Sequence, residues 1–149
     1  DMHHPEIPAL SHYVPAHEGP EDELVKTFPL QLITWKGKNR ANSTQYANPW
    51  LIEAQQQKLW INPQDAQKRG IAQGDTVRIH NARGICEIPA EVTPRIIPGV
   101  VAMQAGAWWQ PDEQGIDKGG CANVLSSARI TALAKGNSHQ TMLVEVAKA

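Results

Sequence analysis

One stretch does most to limit what this chain can fold into: LWINPQDAQKRGIAQGDTVRIHNARGICEIPAEV, residues 59–92. Its apolar positions recur with a period of two, and its polar residues fall at the breaks between runs. Leu59, Trp60 and Ile61 read as a short strand. Asn62 reads as a helix cap, with Pro63 at the first helical position and Asp65 three residues past the cap. Gly70 ends that helix after less than two turns. Ala72, Gln73, Gly74 and Asp75 form a turn, and residues 76–80 a strand with Val77 and Ile79 on one face. Asn81, Ala82, Arg83 and Gly84 make a hairpin turn, with glycine placed where a left-handed residue is wanted. The return strand sets Cys86, Ile88, Ala90 and Val92 inward. Strands this short cannot shield their own edges, so closure into a barrel is the favoured solution.

The rest of the chain extends the pattern. FPLQLITW, residues 28–35, alternates as a strand and runs into the polar stretch 36–48. PWLIEAQQQ, 49–57, reads as a short helix with Pro49 in its first turn. PRIIPG, 94–99, is another turn. VVAMQAGAW, 100–108, reads as a buried strand leading to a polar, glycine-bearing loop over 109–121. ANVLSS follows, and a third polar loop, 132–140, precedes the last strand. In that strand Met142, Val144 and Val146 alternate with Thr141, Leu143 and Glu145. The expectation is a mainly β chain of six or seven strands with one or two short helices. No strand–helix–strand run has the spacing of a parallel sheet.

The bulk figures set outer limits. At 149 residues one domain buries about two thirds of its unfolded surface and needs no metal or disulfide staple. A net charge of −1 argues against nucleic acid as a partner, though not against one small anion. Cys86 and Cys121 form no C-x-x-C pair. No apolar run reaches the roughly 20 residues a membrane helix needs. The start, DMHHPEIPALSHYVPAHEGPEDE, lacks a signal peptide's apolar segment. Residues 1–27 read as a linker or flexible arm, residues 28–149 as the domain, and the whole as a piece cut from a longer protein. His3, His4, His12 and His17 in the arm are either metal ligands or surface polar residues.

Three polar loops share one character. The first holds Lys36, Lys38, Arg40, Asn42, Ser43, Thr44, Gln45 and Asn48. The second holds Gly106, Trp108 and Trp109 and leads to Gly119, Gly120 and Asn123. The third holds Lys135, Asn137, Ser138, His139 and Gln140. Gathered at one barrel end, they offer hydroxyls and main-chain N–H groups for phosphate, Arg40 for a bidentate grip, amides for the edge of a purine or pterin, and Trp for stacking. Scattered, they are solvated turns. In DKGGCANVLS, residues 117–126, paired glycines and small side chains suggest the close approach of something flat. Nucleophilic catalysis finds little support: Cys121 paired with His139 fits no local signature, and a buried inert thiol suits it far better. Asp112, Glu113 and Asp117 read as surface loop charges. Asn42-Ser43-Thr44 matches a glycosylation acceptor, a weak pattern.

The segments FPLQLIT, NSTQYAN, LWINPQDAQKRGIAQGDTVRIHNARG, GVVAMQAGAW, DKGGCANVLSS and AKGNSHQTMLVEV resemble the C-terminal molybdopterin dinucleotide-binding domain of the dimethyl sulfoxide reductase family. The likeness is to catalytic chains of anaerobic dimethyl sulfoxide reductases or their selenate-reductase-type paralogues, and it covers residues 28–148. It implies a six-stranded double-psi β-barrel. It also implies the bis(molybdopterin guanine dinucleotide) molybdenum cofactor, with 4Fe-4S clusters and the metal ligand elsewhere in the parent subunit. Thr34, Trp35, Arg40, Asn42, Ser43, Thr44 and Gln45 would then face the cofactor from the first loop. Gly106, Trp108, Gly120 and Asn123 would face it from the second, and His139 and Gln140 from the third.

The implied partners are the remaining domains of the same subunit, an iron–sulfur electron-transfer subunit and a membrane anchor subunit. Nucleic acid and direct membrane insertion are not among them. The implied setting is a membrane-associated complex on the periplasmic face that reduces dimethyl sulfoxide or related S- or N-oxides with electrons from quinol. The fragment alone would be inactive. Two other readings remain: an adaptor-binding double-psi barrel without redox role, and a pyruvoyl-type decarboxylase. The latter needs a Gly-Ser pair, which the sequence lacks.

Overall fold

Alternation sets the inner face of every strand. The structure, a computed structural model, describes residues 7, 9–131, 134–137 and 140–149. In β1 (Leu30–Trp35) Leu30 and Leu32 are buried while Ile33 beside them is exposed. In β2 (Leu59–Ile61) and β3 (Thr76–His80) the buried residues are Leu59, Ile61, Val77 and Ile79. β4 (Ile85–Val92) turns Cys86, Ile88 and Ala90 inward, and β5 (Val100–Gln104) contributes Val101 and Met103. β6 (Met142–Lys148) adds Met142, Val144 and Val146. Burying each large aliphatic among these stabilises the fold by about 1.5–3 kcal/mol.

The six strands close into one barrel in the order β1-β5-β2-β4-β3-β6. With two short α-helices, this is the mainly β six-stranded barrel that the sequence implies. Two neighbouring pairs, β1/β5 and β2/β4, run parallel. Strand spacing did not signal them, because alternation tells which face is inside but not which strand lies next door.

Helix α1 (Pro49–Ala54) is capped by Asn48 and ends short of the expected 57; it buries none of its residues, and Trp50 is 80% exposed. Helix α2 (Pro63–Lys68) is a tighter piece. The Asn62 side chain accepts from Gln64 N at 2.9 Å and donates to Ile96 O at 2.7 Å. Buried Asp65 accepts from Gly99 N at 2.6 Å. Gly70, at φ +64°, meets nothing within 4 Å of where a Cβ would stand, so the backbone angle alone accounts for it.

Three expectations need correction. Gly84 does not take a left-handed angle; a Cβ there would lie 2.5 Å from Val124 Cγ1 and 2.9 Å from Val124 O. Packing, not turn geometry, keeps it small. Leu143, on the outward side of β6, is buried at 2%. Its main-chain N–H is held from the stretch read as an arm. There Glu18 is 2% exposed, takes both Arg83 nitrogens at 2.8 and 2.7 Å, and accepts from Leu143 N at 3.1 Å. Asp22 caps a 3-10 turn over Glu23–Lys26. The end of the arm is therefore folded onto the barrel, although it shows no strand or helix period. Third, β5 stops at Gln104, short of the expected 108.

Candidate functional site

The second loop hangs from one carboxylate. Asp117, read from sequence as a surface charge, is fully buried. It accepts from Gln110 N at 2.8 Å, Gly119 N at 3.1 Å and Cys121 N at 2.6 Å. Its main chain joins β4, giving N–H to Ile85 O at 3.0 Å and receiving Glu87 N at 2.8 Å. One carboxyl group gathers three main-chain N–H groups, so 109–121 is shaped from within. The missed signal was the Asp-x-Gly order, in which a carboxylate takes the N–H two residues on.

The glycines of this loop answer mainly to the chain itself. A Cβ on Gly119 would stand 2.1 Å from Trp108 O, and one on Gly120 2.4 Å from Gln57 Cγ. The smallness that suggested a ligand at 119–120 is thus accounted for by neighbouring protein atoms. One residue on, Cys121 and Ala122 do face open space in the pocket described below.

The first loop is fastened to the second at several points. A Cβ on Gly106, at φ +93°, would fall 1.8 Å from Asn42 O. Trp108 Nε1 donates to Ser43 O at 2.9 Å. Buried Tyr46 donates from its hydroxyl to Gly119 O at 3.0 Å. The Arg40 guanidinium lies 4.8 Å from the Tyr46 ring centre and donates to Gln57 Oε1 at 3.1 Å. Gln57 in turn donates to Gln104 O at 2.8 Å and Gly120 O at 3.0 Å. Lys36 pairs with Asn42, and Thr44 with Ala41 O. Asn42 and Gln45 both hold left-handed angles, φ 55° and 67°, a strain that concentrates at ligand clamps. The third loop reaches β1 through Gln140, which takes Thr34 N at 2.9 Å and gives to Thr34 Oγ1 at 2.8 Å.

Between these segments lies a pocket of about 110 Å³ lined by Thr34, Ser43, Ala105, Gly106, Ala107, Cys121, Ala122 and Asn123. It joins the end of β1, both loops and the 3-10 turn Ala122–Leu125. No lining residue is charged, and the offered groups are two hydroxyls, an amide, a thiol and main chain. A whole dinucleotide needs a cavity of roughly 300–1,000 Å³, so this notch can seat one part of such a guest.

Of the residues expected at the site, Thr34, Ser43, Gly106 and Asn123 line the pocket. Asn42, Trp108 and Gln140 touch its walls through the contacts above. Arg40 is turned toward Gln57 and Tyr46. Thr44 and Gln45 are exposed on the first loop, and Gly120 packs on Gln57. Trp35 lines a different cleft with Trp60, its ring 5.0 Å away. His139 lies outside the described residues. Tyr46, Gln57 and Asp117, unmarked from sequence, organise the two loops.

The thiols are poor nucleophiles. Burial pushes Cys86 far above its ordinary value, and the neighbouring Asp117 charge adds to this. Burial also raises Cys121. The thiolate is the reactive form, so neither cysteine is primed to attack. Among the described residues no group of three or more His, Cys, Asp or Glu could hold a metal.

A closed barrel whose loops meet in a polar notch, without an activated nucleophile or metal cluster among the described residues, is the design of a ligand-binding module. The chain belongs to the family described as Molydopterin dinucleotide binding domain, which it matches over residues 30–143. It is 52% identical over 143 residues to the dimethyl sulfoxide reductase DmsA of Escherichia coli K12, covering 95% of this chain and 17% of that protein. It is 48% identical over 126 residues to the corresponding Haemophilus influenzae reductase, covering 84% and 16%. The chain thus spans about a sixth of the length of these curated relatives. Among solved structures, acetylene hydratase from Pelobacter acetylenicus shares the fold, with TM-score 0.69 and 16% identity over 85% of this chain and 19% of that one.

Proposed function

We propose that this chain is the cofactor-binding domain of a larger molybdenum oxidoreductase subunit. Its loops would close over one side of a bis(molybdopterin guanine dinucleotide) molybdenum cofactor. The observation that carries this reading is the notch where Thr34, Ser43, Gly106 and Asn123 meet from separate segments, in a chain of this family. The residues fit the guest. Hydroxyls, an amide and main chain suit phosphate oxygens and a heterocycle edge, and no carboxylate lines the notch to repel an anion.

When bound, the cofactor supplies the two-electron redox chemistry. The chain's own groups bind and orient. Ser43 and Asn123 donate or accept at the notch, Gln140 fixes Thr34, and Asp117 holds the second loop in shape. Residues 28–149 would form the domain proper, with the preceding residues joining it to the rest of the subunit. The parent is proposed to reduce dimethyl sulfoxide or a related S- or N-oxide in anaerobic respiration. Its iron–sulfur and membrane anchor partners would hold it at the membrane, on the periplasmic face, and this chain alone would be inactive. The adaptor-binding alternative gains no support from the family match.

The test is titration of guanosine diphosphate into isotopically labelled protein. Backbone amide shifts at residues 34, 43, 106 and 123 are expected. Ser43→Ala or Asn123→Ala should each weaken binding by about 3- to 10-fold, the worth of a single hydrogen bond. Shifts confined to other faces of the barrel would overturn the reading.

A further inference from the structure

Gln104 ends β5 beside the notch and breaks the rule that buried polar groups find partners. The residue is 2% exposed, yet both its Nε2 and its Oε1 are buried with no hydrogen-bond partner. Its register neighbour across the parallel β1/β5 pair is Trp35, whose Nε1 is buried and unpartnered in the same way. Two adjacent residues thus hold three orphaned polar atoms, two donors and one acceptor, where the first loop crosses the barrel wall. Gly37 packs on the Gln104 amide: a Cβ there would fall 1.4 Å from Gln104 Nε2. This glycine belongs to the first loop, whose Lys36 and Arg40 bond Asn42 and Gln57. The main chain of Gln104 is meanwhile fixed by Gln57, and the next two residues, Ala105 and Gly106, already line the notch.

A carboxamide offers one donor and one acceptor side by side. Its complement is a ring edge carrying N–H next to C=O, the lactam edge that guanine and pterin rings share. We propose that Gln104 is a specificity-determining residue which reads that lactam edge once the 36–40 segment lifts. The proposal rests on the cofactor-binding reading and adds to it a named reader and a named chemical edge.

The test is a set of titrations on uniformly nitrogen-15-labelled protein, following the Gln104 side-chain NH₂ pair, assigned by its loss in Gln104→Met, together with the backbone amides. GMP and IMP carry the lactam; AMP has the same ribose and phosphate without it; pterin-6-carboxylate has it on a pterin ring. The Gln104 pair should move with the lactam ligands and stay still with AMP. A response to GMP and IMP alone assigns the edge to the guanine, and one to pterin-6-carboxylate alone assigns it to the pterin. Binding of the responding lactam ligand should exceed AMP by at least about tenfold, the discrimination expected when a polar site loses its matching group. Gln104→Met and Gln104→Leu should abolish that preference.

Equal movement with AMP overturns the lactam assignment. A still Gln104 pair, with backbone amides at 43, 106 and 123 moving, overturns the role of Gln104 and leaves the cofactor-binding reading standing. A still pair with a persistent water cross-peak also overturns it, by showing the amide to be satisfied by internal water. No movement anywhere removes both readings together.

Discussion

Residues 59–92 and the loop mouth built from 36–48 and 105–125 use the same amino acids for opposite purposes. In the first region the caps and turns are set by neighbours in sequence: Asn62 caps the helix it precedes, and Gly70 supplies a left-handed angle with empty space around it, while Asp65 and Arg83 tie that local frame to Gly99 and Glu18. In the second, partners come from far along the chain. Tyr46 reaches Gly119, Trp108 reaches Ser43, and Gly119 is small because Trp108 O stands 2.1 Å from where its Cβ would be. One region is specified locally and the other by assembly. Damage to the first should spread little, and damage to the second should undo contacts across the whole mouth.

The largest effect should come from Asp117→Ala, which leaves three N–H groups without their acceptor in a buried place. We expect a loss of about 3 kcal/mol in urea unfolding, the scale of several broken bonds to a charged group, together with loss of nucleotide-induced shifts in both loops. Asp117→Asn keeps one acceptor and should cost less. Next is Gly119→Ala, where main chain must move; about 2 kcal/mol is expected, as for other overpacked sites, with altered amide signals at residues 43 and 46. Gly70→Ala should cost about 1 kcal/mol through its angle alone, and leave the mouth's signals in place. If Gly70→Ala disturbs the mouth as much as Gly119→Ala does, the contrast between the regions is wrong.

The smallest effect is a pH dependence. Hydrogen bonds from Lys118, then Arg78, hold Glu87 below its ordinary value of 4.5. A lowered folded value means that the stabilisation is present above pH 4.5 and is lost as pH falls through the folded value. Glu87→Gln should flatten that part of the acid unfolding curve. Lys118 also bonds Asp112 at 3.2 Å, so this change links β4 to the second loop and should relax residues 112–118 slightly.

The same contrast explains what the sequence could reveal. Leu59–Ile61, the Asn62 cap and the strand Thr76–His80 were legible because the cause of each lies within four residues of its effect. Gly84 was misread because its neighbour Val124 is distant in sequence. Asp117 was misread because a carboxylate amid Lys and Gly looks solvated until the fold encloses it. Glu18 was hidden among prolines, and nothing local announces that Arg83 will meet it. At the site, loop composition pointed to Thr34, Ser43, Gly106 and Asn123. It could not separate them from Arg40 and Trp35, whose side chains turn elsewhere, because the direction of a loop side chain is decided by tertiary contacts.

The pairing of β1 with β6 has a consequence for the order of events in folding. Gln31 donates to Met142 O across 111 residues of sequence, and the two strands run antiparallel from Leu30 opposite Val144. The ring can be fastened only by its last link. On a ribosome, β1 emerges early and must wait with one flank open until residues 142–148 arrive. A contact of such long range is slow to form, and through that interval the waiting strand is the segment a chaperone would have most reason to hold.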